Sequence, residues 1–383
     1  MKKQVTFGFL SHLDLNLYLF RTPIMKALLE KGHKVYAICP VGDKNQALRE
    51  IGCEVVNYEI DRKGLNPFSE KKAIGNIYEA IKDLRLDILH TFTAKPNIYG
   101  TLAANKAGVA VILNLVEGLG SFYVSNSFKN RVVRFIMEGL YKKAFVLSNG
   151  CVFVNNDDPK YMISRGIIKK EKVKIIKSVG VDTAKFSMQH YNASRVEEIK
   201  NTLGVSGKTV VLMVARALFD KGVREYYEAC EIIKAKYEDV EFLHVGGIDE
   251  GNHSAASREF LENAKVYWLG HRDDIADLTA ISDIYVLPSY REGLPATLME
   301  AASMGKPIVT TNIFGCRDVV EDGVNGFLVP VRDSIKLAEK IEILLNDENK
   351  RKEMGKEARQ KALDEFAVEK VVKQYMEYYE TFI

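Results

Sequence analysis

Short, unbroken apolar runs recur along the chain and alternate with stretches whose apolar positions fall three or four apart. Unbroken runs suit strands buried on both faces, and the wider spacing suits helices packed by one face. In the first half the pattern predicts strands over residues 5–10, 34–39, 54–58, 87–91, 110–115, 151–154 and 173–176. Between them it predicts helices over 21–31, closed by Gly32, and over 45–51 and 97–107. Residues 185–207 are polar and irregular, and read as a linker. The alternation then restarts, with strands over 209–215, 241–245, 265–269, 283–287, 307–310 and 327–329. Strand–helix alternation implies parallel sheets covered on both faces. The expected fold is therefore α/β: two doubly wound, Rossmann-like domains facing across a cleft, residues 1–184 and 185–366. A last helix, 367–383, carries Val371, Val372, Tyr375, Tyr378 and Tyr379, and is expected to cross back to the first domain. Ligands of such sheets settle outside the carboxyl ends of the strands.

Composition narrows the function. The 383 residues are 47% hydrophobic and 27% charged, as in an ordinary soluble protein. A net charge of +3 argues against a dedicated nucleic-acid binder. Five scattered cysteines with no CxxC read as free thiols in a reducing compartment, with no metal site. The apolar run after Met1-Lys2-Lys3 is interrupted by Ser11, His12 and Asp14, too soon for a signal peptide. No run of about 18 apolar residues is present to span a bilayer.

The candidate chemistry clusters at expected strand ends. After the strand 283–287 come Pro288 and the stretch 289–305. A helix is expected to begin near Leu294 or Pro295 and to end at Gly305. That puts Glu292 in the loop, Glu300 in the helix, and the amides of Gly293 and Leu294 at a helix tip suited to phosphate. Arg216 and Lys221 follow the strand 209–215, where a guanidinium fork and an ammonium would neutralise a diphosphate. Gly246-Gly247 follows another strand and reads either as a close backbone approach to ligand or as a plain turn. His271 and Arg272 would border the same site and touch a base. In the first half, Ser11-His12, His90 with Lys95, and Glu117-Gly118-Leu119-Gly120 all follow strands, and Glu117 suits a sugar hydroxyl or a base's role. The segment 121–147 mixes Phe122, Phe128, Val132, Phe135, Ile136 and Leu140 with Lys129, Arg131, Arg134, Lys142 and Lys143. It reads as a membrane-surface helix or, with equal weight, as a packed helix with a solvated basic face.

These residues resemble the retaining glycosyltransferases of family four, which have the two-domain GT-B fold. The likeness rests on Glu292 and Glu300, Arg216 with Lys221-Gly222, Pro288-Ser289, Gly305-Lys306-Pro307 and Asn325-Gly326, and spans nearly the whole chain. Within that family, Leu115-Val116-Glu117-Gly118-Leu119-Gly120-Ser121-Phe122-Tyr123, Lys177-Ser178-Val179-Gly180 and the run 215–226 look like the N-acetylgalactosaminyltransferases of bacterial N-linked protein glycosylation. The resemblance implies UDP-N-acetylgalactosamine as donor and undecaprenyl-diphosphate-linked diacetylbacillosamine as acceptor, joined by an alpha-1,3 bond. It implies work at the cytoplasmic face of the inner membrane, with no metal and no cofactor. By the same resemblance Arg216 and Lys221 hold the diphosphate, Glu300 the ribose and Glu292 the donor sugar, while His90 and Glu117 face the acceptor. One departure stands out: family members often carry a glycine-rich loop after the first strand, and this chain has Ser11-His12-Leu13-Asp14-Leu15-Asn16. Other readings stay open. They are a GT-B transferase with another UDP-hexosamine, a nucleotide-sugar epimerase that releases UDP without a lipid acceptor, and a non-catalytic nucleotide-sugar sensor. A nicotinamide oxidoreductase would need GxGxxG after the first strand, and no such run follows Gly8.

Overall fold

The computed structural model describes residues 4–61, 67–120, 123, 127–177, 180–262 and 264–383. Ser121, Phe122, Ser178 and Val179 of the motifs above lie outside the described residues. The chain divides into two compact units. Unit 1 holds residues 1–179 and 369–383, and unit 2 holds 180–368.

Unit 1 is built on seven parallel strands: β1 (Thr6–Ser11), β2 (Lys34–Cys39), β3 (Glu54–Asn57), β4 (Ile88–Phe92), β5 (Val111–Val116), β6 (Gly150–Phe153) and β7 (Val173–Ile175). Their order is β3-β2-β1-β4-β5-β6-β7, so the sheet grows outward in both directions from the β1–β4 pair. The core residues Leu89, Ile98, Ala103, Ile112 and Phe145 are buried together. Unit 2 carries six parallel strands: β8 (Thr209–Val214), β9 (Val240–Val245), β10 (Tyr267–Gly270), β11 (Ile284–Leu287), β12 (Ile308–Thr311) and β13 (Gly326–Val329). Their order is β10-β9-β8-β11-β12-β13, which again reverses direction beside the first strand of the unit. A sheet whose order reverses leaves a crevice at the carboxyl ends of the central pair, here β1/β4 and β8/β11.

Some elements differ from the expected pattern, including helices over Pro67–Ile81 and Asp157–Ser164 that it did not predict. The first helix runs Asp14–Glu30 and contains Pro23, so it begins well before residue 21. Its start is tied by the buried Asp14, whose carboxylate accepts from the Leu15 and Lys44 amides. The stretch 97–107 is a π-helical turn, Pro96–Gly100, leading into the helix Thr101–Ala107. The stretch 185–207 is no linker: it belongs to unit 2, with Phe186 buried and a helix over Ala193–Thr202. The last helix, Val368–Glu380, buries Val371, Tyr375 and Tyr379. Its residues from 369 onward belong to unit 1.

Candidate active site

In unit 2 the loops after β8 and β11 are laced together. Lys221 ends a single 3₁₀ turn, Phe219–Lys221, and Gly222 then takes φ 76° to start the helix Val223–Lys234. A Cβ on Gly222 would stand 2.1 Å from the Pro288 carbonyl oxygen, so only glycine lets the two loops meet. Across this contact the Tyr290 amide donates to the Asp220 carbonyl at 2.9 Å, and the Ser289 hydroxyl donates to the same oxygen at 3.2 Å. The Tyr290 hydroxyl donates to the buried Glu225 carboxylate at 2.6 Å. The result is that Lys221 Nζ lies 2.6 Å from Glu292 Oε1, with side chains only 24% and 11% exposed. A charge-assisted bond this enclosed is stronger than a surface pair and fixes both groups.

Arg216 stands at the carboxyl end of β8, exposed, with Nη1 2.6 Å from Asp249 Oδ2. The helix after β11 is Ala296–Ser303, capped at Pro295. Leu294 is buried one residue before that cap, and its amide has no hydrogen-bond partner among the described residues. Gly293 lies beside it in the same loop. Glu300 is half-buried on this helix, and its carboxylate has no hydrogen-bond partner among the described residues. Burial lifts its carboxyl to about 7, opposed weakly by Lys185. A carboxylate so placed gains from hydroxyl donors supplied by a ligand.

Other expected contacts are corrected. A Cβ on Gly246 would fall 1.7 Å from the Ala215 carbonyl oxygen, so this glycine admits the close approach of the backbone leading to Arg216. The Arg272 guanidinium is engaged by Asp274, which leaves its fork less available to a base. His271 is exposed, 3.6 Å from Asp273. It lines a cavity of about 500 Å³ at the ends of β9 and β10, with Gly247, Glu250, Ser257 and Trp268.

In unit 1, His90 is the clearest correction. It is fully buried on β4, its Nδ1 2.7 Å from the Tyr379 hydroxyl and its ring centroid 4.5 Å from that of Phe92. Burial pushes its pKa down to about 3, so it is a neutral core histidine and does not face an acceptor. Lys95 is taken up by Glu70 at 2.7 Å and by the Asp61 carbonyl at 2.6 Å. His12 bonds Thr93, which holds φ 75°. Glu117 keeps a one-third exposed carboxylate on the loop after β5 and forms an ion pair with Arg21, whose side chain is wholly buried. Arg21 also lies 4.5 Å over the Phe92 ring. Sequence reading missed Arg21 and Asp249 as partners, because each pair joins residues far apart in the chain.

The helix Phe128–Leu147 buries Glu138, Tyr141, Ala144 and Phe145. Its other side exposes Phe128, Val132, Phe135, Ile136 and Val146 beside Lys129, Arg131, Lys142 and Lys143. None of those four cations has a carboxylate partner among the described residues. Among the described residues, no helix is long and apolar enough to cross a membrane.

Comparison with known proteins shows the family. Residues 195–361 match the family described as glycosyl transferases group 1, and residues 9–149 match a glycosyl transferase 4-like family. The chain is 39% identical to the N,N'-diacetylbacillosaminyl-diphospho-undecaprenol alpha-1,3-N-acetylgalactosaminyltransferase of Campylobacter jejuni, over 98% of both chains. It is 27% identical to the UDP-Gal:alpha-D-GlcNAc-diphosphoundecaprenol alpha-1,3-galactosyltransferase of Escherichia coli, over 83% of this chain and 81% of that one. A solved glycosyltransferase from Rickettsia africae superposes with TM-score 0.79 at 24% identity, covering 100% of this chain and 99% of that one. The chain belongs to the group 1 glycosyltransferases, with the two Rossmann-like units of the GT-B fold.

Proposed function

We propose that this enzyme moves N-acetylgalactosamine from UDP-N-acetylgalactosamine to the 3-hydroxyl of undecaprenyl-diphosphate-linked diacetylbacillosamine, with the anomeric configuration kept. The observation that carries the reading is the Lys221–Glu292 pair, joining the loops after β8 and β11, with Arg216 in the first of those loops, in a chain 39% identical to an enzyme of that name. Arg216 and Lys221 meet the charge of the UDP diphosphate as the bond from the anomeric carbon to phosphate breaks. The tip of the helix Ala296–Ser303, preceded by Gly293 and Leu294, offers amides to the same phosphates. Glu292 holds the donor sugar and Glu300 the ribose hydroxyls. The acceptor oxygen bonds the anomeric carbon on the face the diphosphate leaves, and its proton passes to the departing phosphate oxygen. A trapped covalent glycosyl-enzyme adduct would contradict this route.

The test is a transfer assay with a panel of UDP-sugars and a synthetic polyprenyl-diphosphate monosaccharide, with linkage and anomer read by NMR. The reading predicts an alpha-1,3 disaccharide and preference for UDP-N-acetylgalactosamine. Preference for UDP-galactose would place the enzyme with the Escherichia coli relative's specificity instead. Release of UDP without transfer would favour an epimerase-like hydrolysis.

The Glu300 carboxyl gives this reading a pH signature. Its folded pKa of about 7 lies above the ordinary value of 4.5, so its charge develops as pH rises through about 7. The diphosphate of a UDP-sugar does not titrate in that range. Ribose hydroxyls donate better to the ionised form, so UDP-sugar affinity is expected to rise between about pH 6 and about pH 8. Glu300→Gln is expected to flatten that rise. Calorimetry at both pH values, with both proteins, checks it.

The reading also puts the enzyme on the inner membrane's cytoplasmic face, held by the exposed side of the helix Phe128–Leu147. Each exposed cation near anionic lipid adds about 1 kcal/mol. Changing Arg131, Arg134, Lys142 and Lys143 together to Gln is expected to weaken binding to anionic vesicles and leave UDP-sugar affinity intact. Unchanged sedimentation with vesicles would make the helix a packing element only.

A further inference from the structure

The peptide that leads into Arg216 is gripped by a side chain that the diphosphate reading does not use. His244 is fully buried on β9. Its Nε2 lies 3.0 Å from the Ala215 carbonyl oxygen, and its Nδ1 lies 3.1 Å from the Tyr227 hydroxyl. A carbonyl oxygen can only accept, so Nε2 carries the proton and Nδ1 accepts from Tyr227. Burial holds the pKa of this ring down at about 4, which keeps the neutral tautomer in place across neutral pH.

The same carbonyl is hemmed in on another side. Gly246 sits so close that any Cβ would overlap the Ala215 oxygen and come within 3.1 Å of the Arg216 Cα. Gly246 is itself fixed: its amide donates to the Gly270 carbonyl at 2.7 Å, and its carbonyl accepts from Trp268 Nε1 at 2.8 Å. On either side of Arg216, the Ala215 amide donates to Val245 at 2.9 Å and the Ala217 amide to Gly247 at 3.0 Å. The plane of the peptide joining Ala215 to Arg216 is therefore set by His244 and Gly246, and with it the direction in which the Arg216 side chain leaves the backbone. Arg216 itself is exposed and its guanidinium pairs with Asp249, so its aim is set by that carboxylate together with the backbone it leaves from.

We propose that His244 is a positioning residue for Arg216, orienting through the Ala215 carbonyl the cation that meets the donor's diphosphate. The inference rests on the diphosphate role proposed for Arg216. A misplacement of about 1 Å in such a group is enough to cost orders of magnitude in rate.

A double-mutant cycle tests it. UDP affinity, kcat, KM for the UDP-sugar and Tm are measured for the intact enzyme, His244→Phe, Arg216→Ala and the double variant. His244→Phe is expected to weaken UDP binding about tenfold, the equivalent of one lost hydrogen bond. In the Arg216→Ala background the same change is expected to alter UDP affinity less than about twofold, because the group it aims is gone. His244→Gln, whose amide N–H can reach the carbonyl, is expected to restore most of the loss. If His244→Phe does not fold, Tyr227→Phe removes the hydroxyl that fixes the tautomer and is expected to show the same dependence on Arg216, in smaller measure. An equal loss with and without Arg216, or a lower Tm with unchanged UDP affinity, would reduce His244 to a fold residue and overturn the proposal. If Arg216→Ala leaves UDP affinity unaltered, the diphosphate role itself fails, and that outcome is visible before His244 is touched.

Discussion

Lys221→Ala is expected to lower turnover by two or more orders of magnitude, and Arg216→Ala to do the same. Removing one preorganised group that stabilises developing charge costs about 3–4 kcal/mol in the transition state. Lys221 should show the larger loss, because it is the more enclosed and because its removal leaves the Glu292 carboxylate, 11% exposed, without its cation beside the departing diphosphate. Lys221→Arg is not a conservative rescue, since the planar fork cannot occupy the place of a single ammonium pressed against one carboxylate oxygen. Measuring kcat at saturating donor, with KM recorded alongside, separates lost chemistry from lost binding. Near-normal turnover in both alanine variants would reject the role given to them.

The second large effect is on stability. Glu117→Ala is expected to destabilise unit 1 by about 3 kcal/mol, because it strands the Arg21 guanidinium, wholly buried, without a counter-charge. The Phe92 ring beneath Arg21 replaces only part of that attraction. Arg21→Leu combined with Glu117→Leu is expected to recover much of the loss, since no buried charge is then left to desolvate at position 21. Chemical denaturation of the three proteins checks both expectations. An unchanged midpoint in Glu117→Ala would mean that Arg21 reaches solvent or another partner.

The contrast between these two pairs shows how far the sequence could be read. Strands such as β8 and β11 were legible because a parallel strand covered on both faces must be apolar throughout. Lys221 and Glu292 could be placed in the loops after such strands, while the bond between them was not foreseen. Arg21 left no trace as Glu117's partner. The two are 96 residues apart, and the start of its helix is masked by Asp14, Asn16 and Pro23, which break the apolar rhythm. His90 misled for a related reason. It lies in the middle of β4, and the residue that claims it, Tyr379, is 289 positions away on the last helix. The helix Ala193–Thr202 was hidden because Ile199 is its one buried residue, too little to show a periodic face.

The central claim is that Arg216 and Lys221 receive the charge of the leaving UDP. The position of the diphosphate in a cocrystal with UDP tests it most directly. The account predicts phosphate oxygens within hydrogen-bond reach of both side chains, with the ribose hydroxyls on Glu300. A diphosphate bound away from these groups, or held by unit 1 alone, would contradict it.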